Sequence, residues 1–515
     1  MEYFSVNELC VSGSHPKLVQ VPKQGTSEYK NIVTLIEKLL DPVREKLGKP
    51  IRVTSGYRPP ALNKAVGGSQ TSNHCFDKNT EILTDNGWKT AETITDKDRA
   101  YTYNVEKDII ELCDIEDVIS YDYDGDLYCA CNNHVDFAVT NEHRMLVRNE
   151  KHVYKRTTDK ILSEKEQKYF DSLKTENYKY HFELAKDVFK KRRFFKCAGF
   201  VDNKNTYDVN VLKLCFAVIA GGYIIKHKGK FKGVGFNLKK ERKMALLEQL
   251  LNDNNYKFTK RYSKGHEERG CSGVYIYYLN QTTSKEILEI IGMDKKIPKW
   301  VLYLSPNILE QLVLTYAEFD GTIDKRDNNS GITLFSNDEE NIDKMQLMSV
   351  FSNMRCVKKS IKYYDNGGYK TKSEYHYHLY ITTNKNESKM QETLYEKNHY
   401  KGLVWCIRTK NGTVVIRRNG KISFQGNCTG SAADIHTGND STDNILIVKA
   451  LLELKIPYDE CIIEGAKFNT NGEIVSAQWV HVAYRSTGNR MKLLWTKDFK
   501  TYNKVKVENK IIVKK

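Results

Sequence analysis

Residues 417–427 read RRNGKISFQGN and run without a break into CTGSAADI, residues 428–435. Two patterns of different kind meet at the Asn427–Cys428 bond. Upstream, the short strand-like run Ile422, Ser423, Phe424 leads to an Asn whose side-chain amide can attack its own backbone carbonyl. Downstream, Gly430, Ala432 and Asp434 form the back half of a pattern H-x-x-G-x-A-x-D that has no His nearby. The His is found at His74, closing SQTSNH, and the residue after it is Cys75. With residues 75–427 removed, the chain reads S-N-H-C-T-G-S-A-A-D-I and the pattern is whole. The sequence therefore divides into two flanks and one insert with a Cys at each border.

Bulk properties are compatible with this division. At 515 residues the chain has room for about three domains. An apolar fraction of 40% with 28% charged residues fits folded domains and excludes wholesale disorder. No apolar run approaches the roughly 20 residues of a spanning helix, and MEYFSVNELC lacks the pattern of a signal peptide, so synthesis in the cytoplasm and no membrane partner are expected. Twelve cysteines without framework spacing suggest reduced thiols; Cys129 and Cys131 are read as strand residues, not a metal pair. The net charge of +16 points to a polyanionic partner. Residues 1–74 carry 10 Lys/Arg against 6 Asp/Glu and residues 428–515 carry 13 against 10, so the flanks hold +7 and the insert +9.

The N-terminal flank opens with FSVNELC, read as a strand-to-helix start. Ile32, Leu35, Ile36, Leu39 and Leu40 then recur at helical spacing within 31–47. IRVTSGYRPPALNKAVGGSQTSNH follows as a strand and a turn-rich loop. In the C-terminal flank a helix is expected over 445–454, then YDECIIE and the alternating strand SAQWVHVAYR. SGYR with a following LN, S-x-H, the restored H-x-x-G-x-A-x-D and W-V-H-V together resemble the zinc D-alanyl-D-alanine carboxypeptidases and endolysin-type peptidases, especially small phage-encoded ones. The resemblance implies a zinc ion held by His74, Asp434 and His481, a substrate carboxylate held by Arg58 and a peptidoglycan stem peptide as substrate. A planar bidentate donor suits the task assigned to Arg58. The family's usual acid three residues before the last His is Gln478 here, which cannot take a proton, so Glu464 is the candidate base.

Residues 75–158 change character: CFDKNTEILTDNGWKTAETI is strand, D-N-G turn and strand, and short alternating segments follow, an all-β layout. VTNEHRMLV contains T-x-x-H as Thr140 to His143. Cys75, that spacing and the closing VWCIRTKNGTVVIRRNGKISFQGN resemble the Hint splicing fold of inteins. The resemblance implies that Cys75 forms a thioester with His74, assisted by Thr140 and His143. Cys428 would then take the acyl group, Cys406 would assist, and Asn427 would cyclise to release the insert with no cofactor. Two histidines usual in that family are absent: Gly426 precedes Asn427, and the upstream position falls near Gly412. Arg417, Arg418 or Asn419 are the candidate substitutes.

Residues 159–206 are lysine-rich and read as a basic connector. In 207–395, VLKLCFAVIAGGYIIKHK and LEQLVLTYAEFDGTIDKR share one design, an apolar helix, a small residue and a strand. This duplication resembles the paired LAGLIDADG helices of homing endonucleases, which implies double-stranded DNA as partner and Mg2+ at the helix junction. The second copy keeps its acid, Asp320, before Gly321; the first has Gly221 and Gly222, which predicts impaired cleavage.

The architecture expected is an α+β zinc peptidase, residues 1–74 and 428–515, split by an all-β splicing domain, residues 75–158 and 396–427, that carries an α/β endonuclease-like module. The protein is expected to be a monomer in the cytoplasm of a phage-infected bacterium, with the joined peptidase bound for the cell wall or a virion. The competing reading is a DNA-binding or nicking protein whose flanks bind peptidoglycan without efficient hydrolysis.

Overall fold

A computed structural model describes residues 1–12, 14–24, 27–57, 62, 75–150, 179–264, 273–324, 331–362, 374–427, 432–438, 441–484, 489, 491–498, 502–508 and 511–514. The chain forms two compact units: Met1–Asn73 with Cys428–Lys515, and His74–Asn427. Among the described residues no helix is long and apolar enough to cross a membrane.

In the first unit the expected helix is present as Ser27–Leu35, a π turn Ile36–Leu40 and Asp41–Leu47. It stops at Gly48, whose φ of 62° suits a glycine C-cap. The opening FSVNELC forms no strand. A 3-10 turn, Asn7–Leu9, takes its place because Ser5 and Glu8 cap each other: Ser5 N donates to Glu8 Oε2 at 2.7 Å and Glu8 N to Ser5 Oγ at 3.4 Å. The sheet of this unit runs in the order Arg52–Ser55, Ala432–His436, Trp479–Ala483, Glu460–Glu464, Lys492–Thr496, Asn503–Glu508, Ile511–Lys514. Asn444–Glu453 is the second helix. Strand alternation separates the faces: Ile435, Val480, Val482, Cys461 and Ile463 join Leu35, Leu39, Val448 and Leu451 in one buried core. Their sequence neighbours Asp434 and His481 must therefore point away from it.

The second unit is built on a long sheet. Phe76–Asp77 pairs with Tyr395–Thr409, which pairs along its length with the 23-residue strand Ile109–Cys131. Cys129 and Cys131 are strand residues. The D-N-G turn joins Glu81–Thr84 to Gly87–Lys89, with Gly87 at φ 88°. The connector expected over 159–206 is, from residue 179 on, part of the fold. Strands His181–Leu184 and Arg193–Lys196 flank Arg144–Arg148 in a small sheet completed by Glu387–Met390. Buried Phe195, Cys197 and Ala198 anchor it, an apolar signal masked in the sequence by the charges around it.

Within this unit the internal duplication is explicit. Helix Val209–Gly221 is followed by strands Gly222–His227, Lys230–Leu238, Phe258–Ser263 and Val274–Leu279, paired first-second-fourth-third. Helix Pro306–Asp320 is followed by Gly321–Asp324, Gly331–Ser336, Arg355–Lys362 and Tyr375–Thr382 in the same order. The two helices pack together in one core that includes Phe216, Val218, Leu312 and Ala317. Gly222 and Gly321 allow the sharp helix-to-strand change. A Cβ at Gly222 would lie 2.9 Å from Val218 Cα, and one at Gly321 2.8 Å from the Thr333 carbonyl oxygen.

Candidate active sites

In the second unit both borders of the insert converge on the turn Thr140–Arg144. Cys75 is fully buried, and its amide N donates to Thr140 Oγ1 at 3.0 Å. Thr140 N donates to the Cys75 carbonyl at 3.0 Å and its hydroxyl reaches the same oxygen at 3.4 Å. His143, also fully buried, donates its backbone N–H to Thr140 O at 3.0 Å, and its ring lies 4.4 Å from that of Phe76. The antiparallel Phe76↔Trp405 pairing carries Cys75 and Cys406 to the next position of the register. Cys406 is buried, with its thiol toward the Ile407 carbonyl at 3.3 Å.

Asn427 directly follows the strand Lys421–Gly426 and is fully buried. Its N–H donates to Gly412 O at 3.1 Å, and its Nδ2 donates to Thr409 Oγ1 at 2.8 Å and Thr413 O at 3.4 Å. Arg144 Nη1 donates to the Asn427 carbonyl oxygen at 3.2 Å. The residues expected to stand in for the missing histidines are engaged elsewhere. Arg417 binds Glu81 and Asp343, Arg418 binds Asp77 and Asp136, and Asn419 binds Asp136. Sequence reasoning missed Arg144 and Thr409. Arg144 directly follows His143 in NEHR and, next to a strand end lacking His, is the signal that could have found it.

In the first unit Asp434 and His481 stand opposite each other on adjacent strands, with Asp434 Oδ1 and His481 Nδ1 2.7 Å apart. Burial opposes charge on His481, but Asp434, Glu464 and Glu460 outweigh it and raise its pKa above the ordinary value. Ile462 is the register partner of His481, and Glu464 is the next residue on the same face. Burial raises the Glu464 pKa, and the charge of Asp434 adds to this. A carboxylate and an imidazole side by side on a rigid sheet are a donor set suited to zinc. His74, Arg58 and Cys428 lie outside the described residues, as does Gly430. Among the described residues no group of three His, Cys, Asp or Glu is placed to hold a metal. Gln478 is exposed at the strand entrance and donates its N–H to Glu464 O at 2.8 Å.

At the helix junction Asp320 and Gly221 occupy equivalent last positions of their helices. Burial raises the Asp320 pKa, and Lys243 and Lys295 only partly offset it. Both lysines are tied to the helix ends: Lys295 Nζ donates to Gly222 O at 2.8 Å, and Lys243 Nζ to Phe319 O. One carboxylate beside two ammonium groups does not fit the paired-carboxylate Mg2+ centre expected from the duplication.

Residues 2–100 match the Peptidase M15 family. The ribonucleoside-diphosphate reductase subunit beta of Aquifex aeolicus (strain VF5) is 26% identical over 420 residues, covering 79% of this chain and 56% of that protein. The chain thus spans about half the length of this curated relative. Among solved structures, the AceL NrdHF class 3 split intein, a splice-inactive variant, gives a TM-score of 0.25 at 7% identity, covering 69% of this chain and 99% of that one. The homing endonuclease I-DmoI in complex with DNA and Mn gives 0.24 at 12% identity, covering 34% and 90%. I-WcaI bound to its DNA recognition sequence gives 0.23 at 18%, covering 35% and 78%. TM-scores this low do not establish a shared fold.

Proposed function

We propose that the chain is an intein-bearing precursor. Residues 75–427 excise themselves by protein splicing and join His74 to Cys428, yielding a zinc-dependent peptidoglycan peptidase of the D-alanyl-D-alanine carboxypeptidase or endolysin type. The observation that carries this reading is the convergence of both borders on Thr140–Arg144, with Thr140 on the amide nitrogen of Cys75 and Arg144 on the carbonyl of Asn427.

The chemistry begins when Cys75 Sγ attacks the His74 carbonyl carbon. The C–N bond to Cys75 breaks, and its nitrogen, held by Thr140, takes a proton from His143, leaving a thioester. General-acid help of this kind is worth about 10²–10⁴-fold. Cys428 Sγ then displaces the Cys75 thiolate from the acyl group. Asn427 cyclises and expels the amine of Cys428, and that amine attacks the thioester to leave an ordinary His74–Cys428 peptide.

In the joined flanks Asp434 and His481, with His74, would hold zinc, which when bound polarises the scissile carbonyl and lowers the pKa of water to about 7. Glu464, beside them on the open face, takes the proton of the attacking water, and Arg58 binds the substrate carboxylate. Asp434 and His481 already meet before ligation, whereas His74 becomes their neighbour in sequence only once residues 75–427 are gone, so peptidase activity is gated by splicing. The module at 207–395 binds double-stranded DNA, with cleavage impaired by Gly221.

Intact mass of freshly expressed protein tests the first claim: an excised insert and a joined product are expected, and a persistent single chain under reducing conditions refutes it. Zinc content tests gating. A Cys75→Ala, Asn427→Ala precursor should bind substoichiometric zinc, and full binding would remove the gate.

A further inference from the structure

Arg355 opens the strand Arg355–Lys362 and is only 8% exposed. Its Nη1 donates to the Glu387 carbonyl oxygen at 2.7 Å. Among the described residues its Nε has no hydrogen-bond partner, and no carboxylate forms an ion pair with it. The Glu387 carboxylate is taken by Arg148, whose Nε donates at 2.6 Å, and by the Tyr180 hydroxyl at 2.7 Å. A buried guanidinium in this state is costly, and a ligand of opposite charge offsets the cost. We propose that Arg355, His134, Lys385 and Lys421 form a binding site for one phosphate group. The site is distinct from the insert borders and the helix junction, and it does not rest on the splicing reading.

Three segments bring these cations together. Strand alternation sets Arg355 on the face of Val357, and Val357 is the register partner of Lys421, so both basic side chains share that face. Arg355 N donates to Lys385 O at 2.8 Å, which ties the exposed Lys385 to the same strand end. His134 comes from the turn that follows Ile109–Cys131. Asn132 pins this turn: its Oδ1 accepts from His134 N and Val135 N, each at 2.8 Å, and its Nδ2 donates to Ser388 Oγ at 3.2 Å. Lys421 Nζ closes on the turn by donating to Asn132 O at 2.7 Å. Burial, and then the charges of Arg355, Lys421 and Lys385, lower the His134 pKa to about 4. Burial also lowers the Arg355 pKa, with Cys197 and Glu387 offsetting only part. Three cations around one imidazole repel one another, and an anion among them turns that repulsion into attraction.

The donor set selects the ligand class. Its positive charge excludes a metal ion. A guanidinium fork presents N–H groups to two oxygens at once, and a tetrahedral phosphate has further oxygens for an imidazole N–H and two ammonium groups. A carboxylate, with two oxygens, cannot serve all four. Free phosphate and a backbone phosphate of DNA offer the same chemistry here. Further along the same face, exposed Lys359 lies over the Tyr380 ring at 5.4 Å and gives a DNA strand a path to the site.

The test keeps the full chain whole with Cys75→Ala and Asn427→Ala and titrates it by calorimetry at fixed ionic strength, with inorganic phosphate and, separately, with a random-sequence DNA duplex. Saturable binding of one phosphate per chain is expected, with a dissociation constant of about 1 mM or tighter. Arg355→Met should weaken it about tenfold, and an unchanged duplex affinity in that variant assigns a free phosphate as the ligand. Duplex binding weakened about tenfold by Arg355→Met, without saturable phosphate binding, assigns a backbone phosphate. Lys385→Met changes an exposed side chain and should weaken the same ligand about threefold, which keeps the test open should Arg355→Met fail to fold. The site is overturned if phosphate and duplex both fail to bind, or if the ligand that binds is held equally well by the parent and both variants. None of these outcomes bears on bond exchange at Cys75 or Asn427, so the splicing reading stands or falls separately.

Discussion

The turn Thr140–Arg144 and the junction of helices Val209–Gly221 and Pro306–Asp320 both bring together segments far apart in sequence. At the turn, two backbone atoms at the borders face side-chain partners: a hydroxyl on the Cys75 amide nitrogen and a guanidinium on the Asn427 carbonyl. At the helix junction the packing is complete, with Phe216, Val218 and Ala317 fully or almost fully buried, yet only one of the two helices ends in a carboxylate and lysines cap both helix ends. Packing and chemistry are separable: a helix pair needs small residues and apolar faces to persist, not a carboxylate at each end.

The largest expected effect lies at the turn. Replacing both Cys75 and Asn427 by Ala should abolish every mass change, since the nucleophile at each border is gone; any residual joined product in a time course would break the comparison. His143→Gln should slow thiol-independent formation of the border thioester by about 10²–10⁴-fold, read by trapping with hydroxylamine, while leaving Asn427 chemistry in place. In helix Val209–Gly221 Leu214 is fully buried, and Leu214→Ala should cost about 2–5 kcal/mol of stability through the cavity it leaves, measured by denaturant unfolding. Gly221→Asp should have the smallest effect on stability, within about 1 kcal/mol, because a Cβ there meets only Phe319 at 3.9 Å. That variant sharpens the comparison if it gains Mg2+-dependent nicking of its DNA target in a plasmid assay, and blunts it if it gains none.

Local pattern carried much of this. The helix through Leu35 and Leu39, the strand of Val480 and Val482 and the border residues are readable because a periodic apolar face or a fixed spacing declares them. The position of Glu464 near Asp434 and His481 depends on which strands pair, and YDECIIE and WVHV by themselves do not state that pairing. Arg144, Thr409 and the strand Arg193–Lys196 were not legible. Arg144 gains its meaning from Asn427, 283 residues on, Thr409 from a side-chain bond to Asn427 that no spacing rule declares, and the strand from apolar residues hidden among basic neighbours. The capping exchange of Ser5 with Glu8 likewise overrode the strand preference of FSV.

Strand Arg355–Lys362 joins the strand Lys421–Gly426 at Val357↔Lys421, and Lys358 N donates to Gly420 O at 3.0 Å. From the helix Glu339–Phe351, Asp343 and Gln346 reach Arg417, which is 5% exposed. The segment that carries the duplicated helices is therefore no detachable passenger. A shortened version trimmed of it would leave a raw sheet margin and strip the buried Arg417 of Asp343, one of its two carboxylate partners. Anyone engineering a compact form should keep that helix and strand, or replace Arg417 with an apolar residue and blunt the new edge with charge.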